Sequence, residues 1–218
     1  MNRAVIFDLD GTVLDSLKDI ADNVNKTLDK FGNRRLSLAE IKSIVGNGAK
    51  RLIEDALKLN GIRVSEAELG RILGYYNRIY AESESPYTKP FDGIKETLKE
   101  LSLRGYKIAI LSNKPQKTLE RVCSLYLNDI KIDRVVGEKD GVKCKPDKTA
   151  TVALLKELGV TPESCYFVGD GETDVIASIG AGTNCIAVLW GNRTKEELAA
   201  AGAKVFAEKP ADLLYLIP

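Results

Sequence analysis

The 218-residue chain contains no histidine, and no other gap in its composition excludes as much. Ser-His and Cys-His catalysis and histidine metal sites are ruled out, so any general acid or base must be a carboxylate, lysine, cysteine or tyrosine. Cysteine is scarce. Cys123, Cys144, Cys165 and Cys185 stand far apart with no C-x-x-C pair, which points to reduced thiols rather than a disulfide framework or a zinc set. Neither sign of charge dominates: Lys+Arg 32 against Asp+Glu 31 leaves +1. Nothing in that balance calls for a nucleic-acid backbone or an anionic membrane as partner. Long apolar runs are missing too. The run at Ala4–Phe7 ends in a carboxylate and is too short for a signal-peptide core or a membrane span, so a cytoplasmic location is expected. Low-complexity tracts and long internal repeats are also absent.

What is present, 44% hydrophobic and 29% charged residues, suits a globular protein of one or two domains with a substantial core. Two textures alternate along it. Ala4–Phe7 reads as a strand. From Ser16 to about Ser85 the periodicity is only helical. Leu17, Ile20, Ala21, Val24, Leu28 and Phe31 step by three or four behind a candidate Ser16-x-x-Asp19 cap. Ser37-x-x-Glu40 resembles a capping box, Leu52, Ile53, Ala56 and Leu57 mark a third helix, and Ser65-x-x-Glu68 opens a fourth. After Pro86 and Pro90 the pattern becomes strand-helix alternation. Strands are expected at Lys107–Leu111, Ile132–Val136, Cys165–Val168, Asn184–Leu189 and Lys204–Phe206. Helices are expected near 92–104, 115–127, 147–158, 173–180, 194–201 and 211–217. Such alternation gives an α/β fold, a Rossmann-like parallel sheet covered by helices on both faces. The helical stretch then forms an inserted all-helical unit over 16–87, with the core at 1–15 and 88–218.

Sites in parallel sheets gather at the carboxyl ends of the strands, and the polar oddities fall there. Asp8 and Asp10 leave the first strand at period two, on one side of the chain. Asp10-Gly11 alone would equally be a solvated turn. Phe167-Val168-Gly169-Asp170 ends another strand in a carboxylate, and Asp174 follows near a helix start, where an acid also suits the helix dipole. Ile110-Leu111-Ser112-Asn113 ends a third strand in a hydroxyl and an amide, groups that suit a phosphate oxygen or, as commonly, a helix cap. Lys145 stands before Pro146, held extended ahead of a helix. Carboxylates converging from two strand ends repel unless a cation lies between them, and a hard divalent ion such as Mg²⁺ takes such ligands. With a hydroxyl and a lysine added, these are the parts of a phosphoryl-transfer site.

In this order, Asp8-Leu9-Asp10-Gly11-Thr12, Ser112, Lys145-Pro146 and Gly169-Asp170-x3-Asp174 resemble the four motifs of the haloacid dehalogenase superfamily, whose helical cap the insertion also resembles. The resemblance implies that Asp8 is the nucleophile and becomes an aspartyl-phosphate. Asp10 would be the general acid and then the base, Ser112 would hold the phosphoryl group, and Lys145 would offset its charge. It implies Mg²⁺ on Asp8, Asp10 (through its backbone carbonyl) and Asp170, with Asp174 either a direct ligand or orienting the ion's shell, and it adds Thr12 and Asn113 to the substrate-binding candidates. Asp10 also separates the chain from the dehalogenase branch, because an alkoxide leaving group needs a proton and a halide does not.

Val45-Gly46-Asn47-Gly48-Ala49-Lys50-Arg51 sets glycines at a helix start with two cations after them. Gly48, Lys50 and Arg51 are either a sensor for an anionic substrate tail or a plain loop-to-helix junction with solvated cations. This segment, Ser112–Pro115 and Val188-Leu189-Trp190-Gly191 resemble the phosphoglycolate phosphatase subgroup, while Asp147-Lys148 and Gly171 depart from its usual residues. The expected partner is a small-molecule phosphate ester, acted on by a monomer or homodimer. Phosphatases for sugar phosphates or nucleoside monophosphates, a pyrophosphatase and a β-phosphoglucomutase-like transferase are the neighbouring readings. A phospho-acceptor signalling domain fits less well, since it would give Asp10 no purpose.

Overall fold

The computed structural model describes residues 2–139, 141, 143 and 145–218, so Cys144 lies outside the described residues. Eight strands and ten helices follow one another along these residues. In chain order they are β1 (Arg3–Phe7), β2 (Leu14–Asp15), α1 (Leu17–Lys30), α2 (Leu38–Ile44), α3 (Ala49–Leu59), α4 (Glu66–Glu82), β3 (Lys89–Pro90), α5 (Ile94–Leu103) and β4 (Tyr106–Pro115). After them come α6 (Gln116–Tyr126), β5 (Arg134–Glu138), α7 (Thr149–Leu158), β6 (Cys165–Gly169), α8 (Glu172–Ala181), β7 (Asn184–Val188), α9 (Lys195–Ala200), β8 (Phe206–Ala207) and α10 (Leu213–Leu216).

Six strands form one parallel sheet in the order β5-β4-β1-β6-β7-β8. Alternation along β1 explains why Ala4–Phe7 are all apolar. Val5 and Phe7 join a cluster with Ile94 and Leu98 of α5, while Ala4 and Ile6 join another with Leu154 and Leu158 of α7. Both faces are therefore covered, as a parallel sheet requires. The chain works outward from β1 to β4 and β5, then returns to β6 on the other side. That reversal makes the carboxyl end of β1 the topological switch point, where open α/β sheets bind ligands.

Helices α1–α4 bury their own cluster, including Val24, Leu28, Ile41, Ile53, Leu57 and Tyr76, apart from the sheet. They form the helical cap. The short antiparallel pair β2–β3 joins Leu14 to Pro90 and Asp15 to Lys89, which makes a two-stranded stalk where the chain leaves the core and returns. The capping box at Ser37 and Glu40 is formed, and Ser65 caps α4 through the Glu68 amide. The candidate cap at Ser16 is not. Ser16 makes no capping bond and turns its hydroxyl to Asp10. Asp19 is buried and instead accepts from the Tyr87 amide and the Thr88 hydroxyl on the returning side of the stalk.

Strand β4 runs to Pro115, with a register shift between Leu111 and Pro115. Ser112 and Asn113 are thus strand residues, and neither caps α6, whose N-cap is Pro115. Strands β5 and β8 lie about two residues C-terminal to their expected places. The expected helix near 211–217 is a 3₁₀ turn at Pro210–Asp212 followed by α10. Cys123, Cys165 and Cys185 are free thiols, and burial pushes Cys123 and Cys165 up to about 12, far from any thiolate role. No helix among the described residues is long and apolar enough to cross a membrane.

Candidate active site

Asp8 follows the last residue of β1, its amide bonded to the Val168 carbonyl of β6. Asp170 follows β6, and Asp174 lies in the first turn of α8. One carboxylate oxygen of each of the three lies within 4.8 Å of the others, and all three residues are buried. Glycines permit this approach. A Cβ on Gly11, which sits at φ +90°, would overlap Asp170 and Asn192, and one on Gly169 would overlap Asp174.

The Lys145 ammonium enters the cluster from the loop ahead of α7, 2.8 Å from Asp8, 2.5 Å from Asp174 and 2.9 Å from the Leu111 carbonyl. Burial opposes its charge, but Asp174 and Asp8 outweigh that and hold its pKa above the usual lysine value. Burial pushes Asp8 up to about 7, with Lys145 opposing and Asp174 adding to the rise. Asp170 is raised to about 6 by burial and then by Asp8, against the Asn192 amide and the Thr12 hydroxyl. Asp174 is raised too, again by burial, with Lys145 opposing. Three carboxylates thus face one ammonium, which leaves two negative charges without a partner when all are ionised. An all-oxygen, doubly charged, buried donor set fits a hard divalent cation.

This electrostatic strain sets a pH dependence. Because an unfolded aspartate titrates near ~3.9, the native protein holds more protons than the unfolded chain as pH rises towards 7. Without metal, stability should fall across roughly pH 4 to 7. A divalent cation, which needs deprotonated ligands, should stabilise the fold more at pH 7.5 than at pH 5. Thermal melts in EDTA and in added divalent cation check both; a metal effect larger at pH 5 would contradict the assignment.

Asp10 is held separately. Ser16 donates to its Oδ1 at 2.5 Å, and the buried Lys114 ammonium bonds both carboxylate oxygens at 2.9 Å. Ser112 faces the same cleft and accepts from the Lys114 amide. The cleft encloses about 720 Å³ of free space open to solvent between core and cap. Asp8, Asp10, Ser112, Asp170 and Asp174 line its floor, while Ile20, Val45, Leu52, Tyr76 and Tyr80 give it an apolar wall.

Of the substrate-binding candidates, Thr12, Lys50 and Arg51 lie outside the cleft lining, whereas Asn113 and Gly48 are part of it. Thr12 is buried behind the floor, its hydroxyl donating to Asp170 at 3.0 Å, so it positions a carboxylate rather than facing a ligand. The Asn113 side chain is fully engaged. It donates to the Gly46 and Lys145 carbonyls and accepts from the Lys145 amide, tying the cap loop, β4 and the lysine loop together. Gly48 does line the cleft, at φ +84° ahead of α3. Lys50 and Arg51 do not line it. The face of α3 that packs inward carries Ala49, Leu52, Ile53 and Ala56, so the two cations turn to solvent. There Lys50 pairs with Glu66 and Arg51 with Asp55. Replacing both by alanine should leave KM for any anionic substrate within about twofold of the parent; a rise of tenfold would restore the sensor role.

Two cations absent from the expectations line the cleft instead, Lys114 and Arg193. Arg193 bonds Glu172 through Nε at 3.0 Å and donates 2.8 Å bonds to the Lys42 and Val45 carbonyls of the cap. It follows β7 in a loop without periodicity, so no sequence pattern announces it.

A family model for haloacid dehalogenase-like hydrolases matches residues 5–188, the strands and cap that build this site. The chain belongs to that family. Among haloacid dehalogenase-like hydrolases it is phosphoglycolate phosphatase-like. It is 32% identical over 218 residues to phosphoglycolate phosphatase 1 of Pseudomonas aeruginosa, across 97% of this chain and 78% of that one. It is 33% identical over 189 residues to a phosphoglycolate phosphatase of Aquifex aeolicus, across 87% and 85%. A solved structure of a candidate phosphoglycolate phosphatase from Lactobacillus delbrueckii subsp. bulgaricus superposes with a TM-score of 0.92 at 29% identity, covering 100% of this chain and 99% of that one.

Proposed function

We propose that this phosphoric monoester hydrolase cleaves a small phosphate ester through an aspartyl-phosphate on Asp8, with Mg²⁺ as its cofactor and 2-phosphoglycolate as its substrate. The observation that carries the reading is the buried cluster of Asp8, Asp170 and Asp174 around a single lysine at the switch point of the sheet. The relatives' names support the substrate.

In this reading Asp8 Oδ attacks phosphorus, the ester P–O bond breaks, and Asp10 passes a proton to the leaving oxygen. Water then attacks the phosphoryl group, its proton returns to Asp10, and the Asp8–phosphorus bond breaks to release phosphate. The Ser112 hydroxyl and the Lys145 ammonium hold phosphoryl oxygens, and Lys145 keeps Asp8 aimed. Asp8, Asp170, Asp174 and the Asp10 carbonyl would hold Mg²⁺, which when bound offsets charge on the phosphoryl group. The unit at 16–87 acts as a cap over the core at 1–15 and 88–218, excluding water from the cleft. Lys114 and Arg193 both line the cleft, each already paired with a carboxylate, Asp10 and Glu172.

The test is phosphate release from a panel under Mg²⁺: 2-phosphoglycolate, sugar phosphates, nucleoside monophosphates, pyrophosphate and p-nitrophenyl phosphate. The expected result is a kcat/KM for 2-phosphoglycolate about tenfold or more above the rest, about 1.4 kcal/mol of preference in the transition state. Another ester in first place replaces the substrate, and no turnover of any ester overturns the phosphatase.

A further inference from the structure

The cap reaches the acid/base side chain through a lysine. Lys114 is buried, its side chain 3% exposed, and an ammonium carries three N–H donors. Nζ lies 2.9 Å from each Asp10 oxygen and 2.5 Å from the Tyr80 hydroxyl, so all three donors are engaged. Tyr80 belongs to α4 of the cap, far along the chain from the strand that carries Lys114. Its ring also lies under the ammonium, 4.5 Å from centroid to Nζ, and Tyr76 one turn earlier packs against it at 5.6 Å. Tyr80 is itself buried at the wall of the cleft, so little solvent competes for this contact while the cap is docked.

We propose that Tyr80 is a positioning residue for the acid/base step: its hydroxyl fixes Lys114, and Lys114 fixes the Asp10 carboxylate, so that the proton carrier is aligned only while α4 is docked. The inference rests on the role of Asp10 proposed above. Its physical content is that one hydroxyl decides where the ammonium points. A lysine on its flexible stem holds no fixed direction unless its partners impose one. With Tyr80 withdrawn, Nζ keeps the two Asp10 contacts but loses the contact that locates it, and Asp10 is held less firmly against the leaving oxygen. Water exclusion and proton transfer then become one event, because the helix that closes the cleft also completes the chain of hydrogen bonds.

The test is Tyr80→Phe, which keeps the ring over Lys114 and removes only the hydroxyl. It is read on two esters by kcat/KM, which reports the steps through cleavage of the ester bond. An alkyl phosphate needs a proton on its leaving oxygen, and p-nitrophenyl phosphate does not. For the best alkyl ester of the panel kcat/KM should fall about 10- to 100-fold, the scale of one hydrogen bond to a charged group. For p-nitrophenyl phosphate it should stay within about twofold. Lys114→Met closes a double-mutant cycle: adding Tyr80→Phe to it should cost nothing further on the alkyl ester, because the hydroxyl has nothing left to act through. Equal losses on both esters, or additive losses in the cycle, would overturn the proposal, since a merely structural tyrosine behaves that way. If Lys114→Met does not fold, the comparison of the two esters decides alone. Asp8→Asn in the same series separates the two failures: activity that survives it sinks the phosphoryl-enzyme reading, whereas Asp8-dependent activity with no difference between esters sinks only this inference.

Discussion

Asp8→Asn should abolish turnover of every phosphate ester, by about 10⁴-fold or more, the scale of losing a covalent nucleophile. The amide fills nearly the same volume and can still face Lys145, so the fold should persist. It removes the negative oxygen that would attack phosphorus, together with one of the three charges in the cluster. Removing that charge relieves repulsion. At pH 7.5 in EDTA the variant should therefore melt no lower than the parent, since in the parent burial pushes Asp8 up to about 7 and its ionised form is costly. Lost activity with retained stability separates a chemical role from a structural one. Phosphate-release assays and thermal melts on the same preparation read both.

Lys145→Met should be the most damaging substitution among the described residues of the site, in activity and stability together. The ammonium is 2% exposed and touches both Asp8 and Asp174. Removing one member of a buried ion pair costs about 3–5 kcal/mol, because the remaining charge stays buried. The loss must depend on pH. Lys145 is charged at pH 5 and at pH 8 alike, as its pKa is raised above the usual lysine value. Asp8 and Asp170, at about 7 and about 6, are largely protonated at pH 5 and ionised at pH 8. In EDTA the variant should thus lose less stability at pH 5 than at pH 8, and divalent cation should restore part of it. Denaturant melts at the two pH values check this. A loss of equal size at both would mean that Lys145 acts through packing rather than charge.

The sheet, the inserted helices and the cluster of acids were legible in the sequence because each rests on a local rule. Val5 to Phe7 alternates between two buried faces, and Asp8, Ser112 and Asp170 interrupt apolar runs where strands end. What escaped depends on direction rather than position. Along β4 the register shift after Leu111 destroys period two, so nothing in Ser112-Asn113-Lys114 tells which side chain faces the cleft. Lys114 points at Asp10 while Asn113 turns to the Lys145 loop, and only the folded bulge decides that. Arg193 and Thr12 act across |i−j| separations of 148 and 158 residues, beyond any local pattern. Lys50 and Arg51 are a different case. The phase of Ala49, Leu52, Ile53 and Ala56 turns them outward, although the glycines before them make the helix start look like an anion site.

The most direct measurement is to trap the covalent intermediate. Enzyme mixed with substrate and Mg²⁺, quenched in acid within the first turnover and digested, should carry one phosphoryl group on the peptide containing Asp8. The label should be absent from Asp8→Asn and should disappear on a chase with unlabelled substrate. A phosphoryl group on another residue, or single-turnover hydrolysis with no labelled protein at any time, would contradict the account.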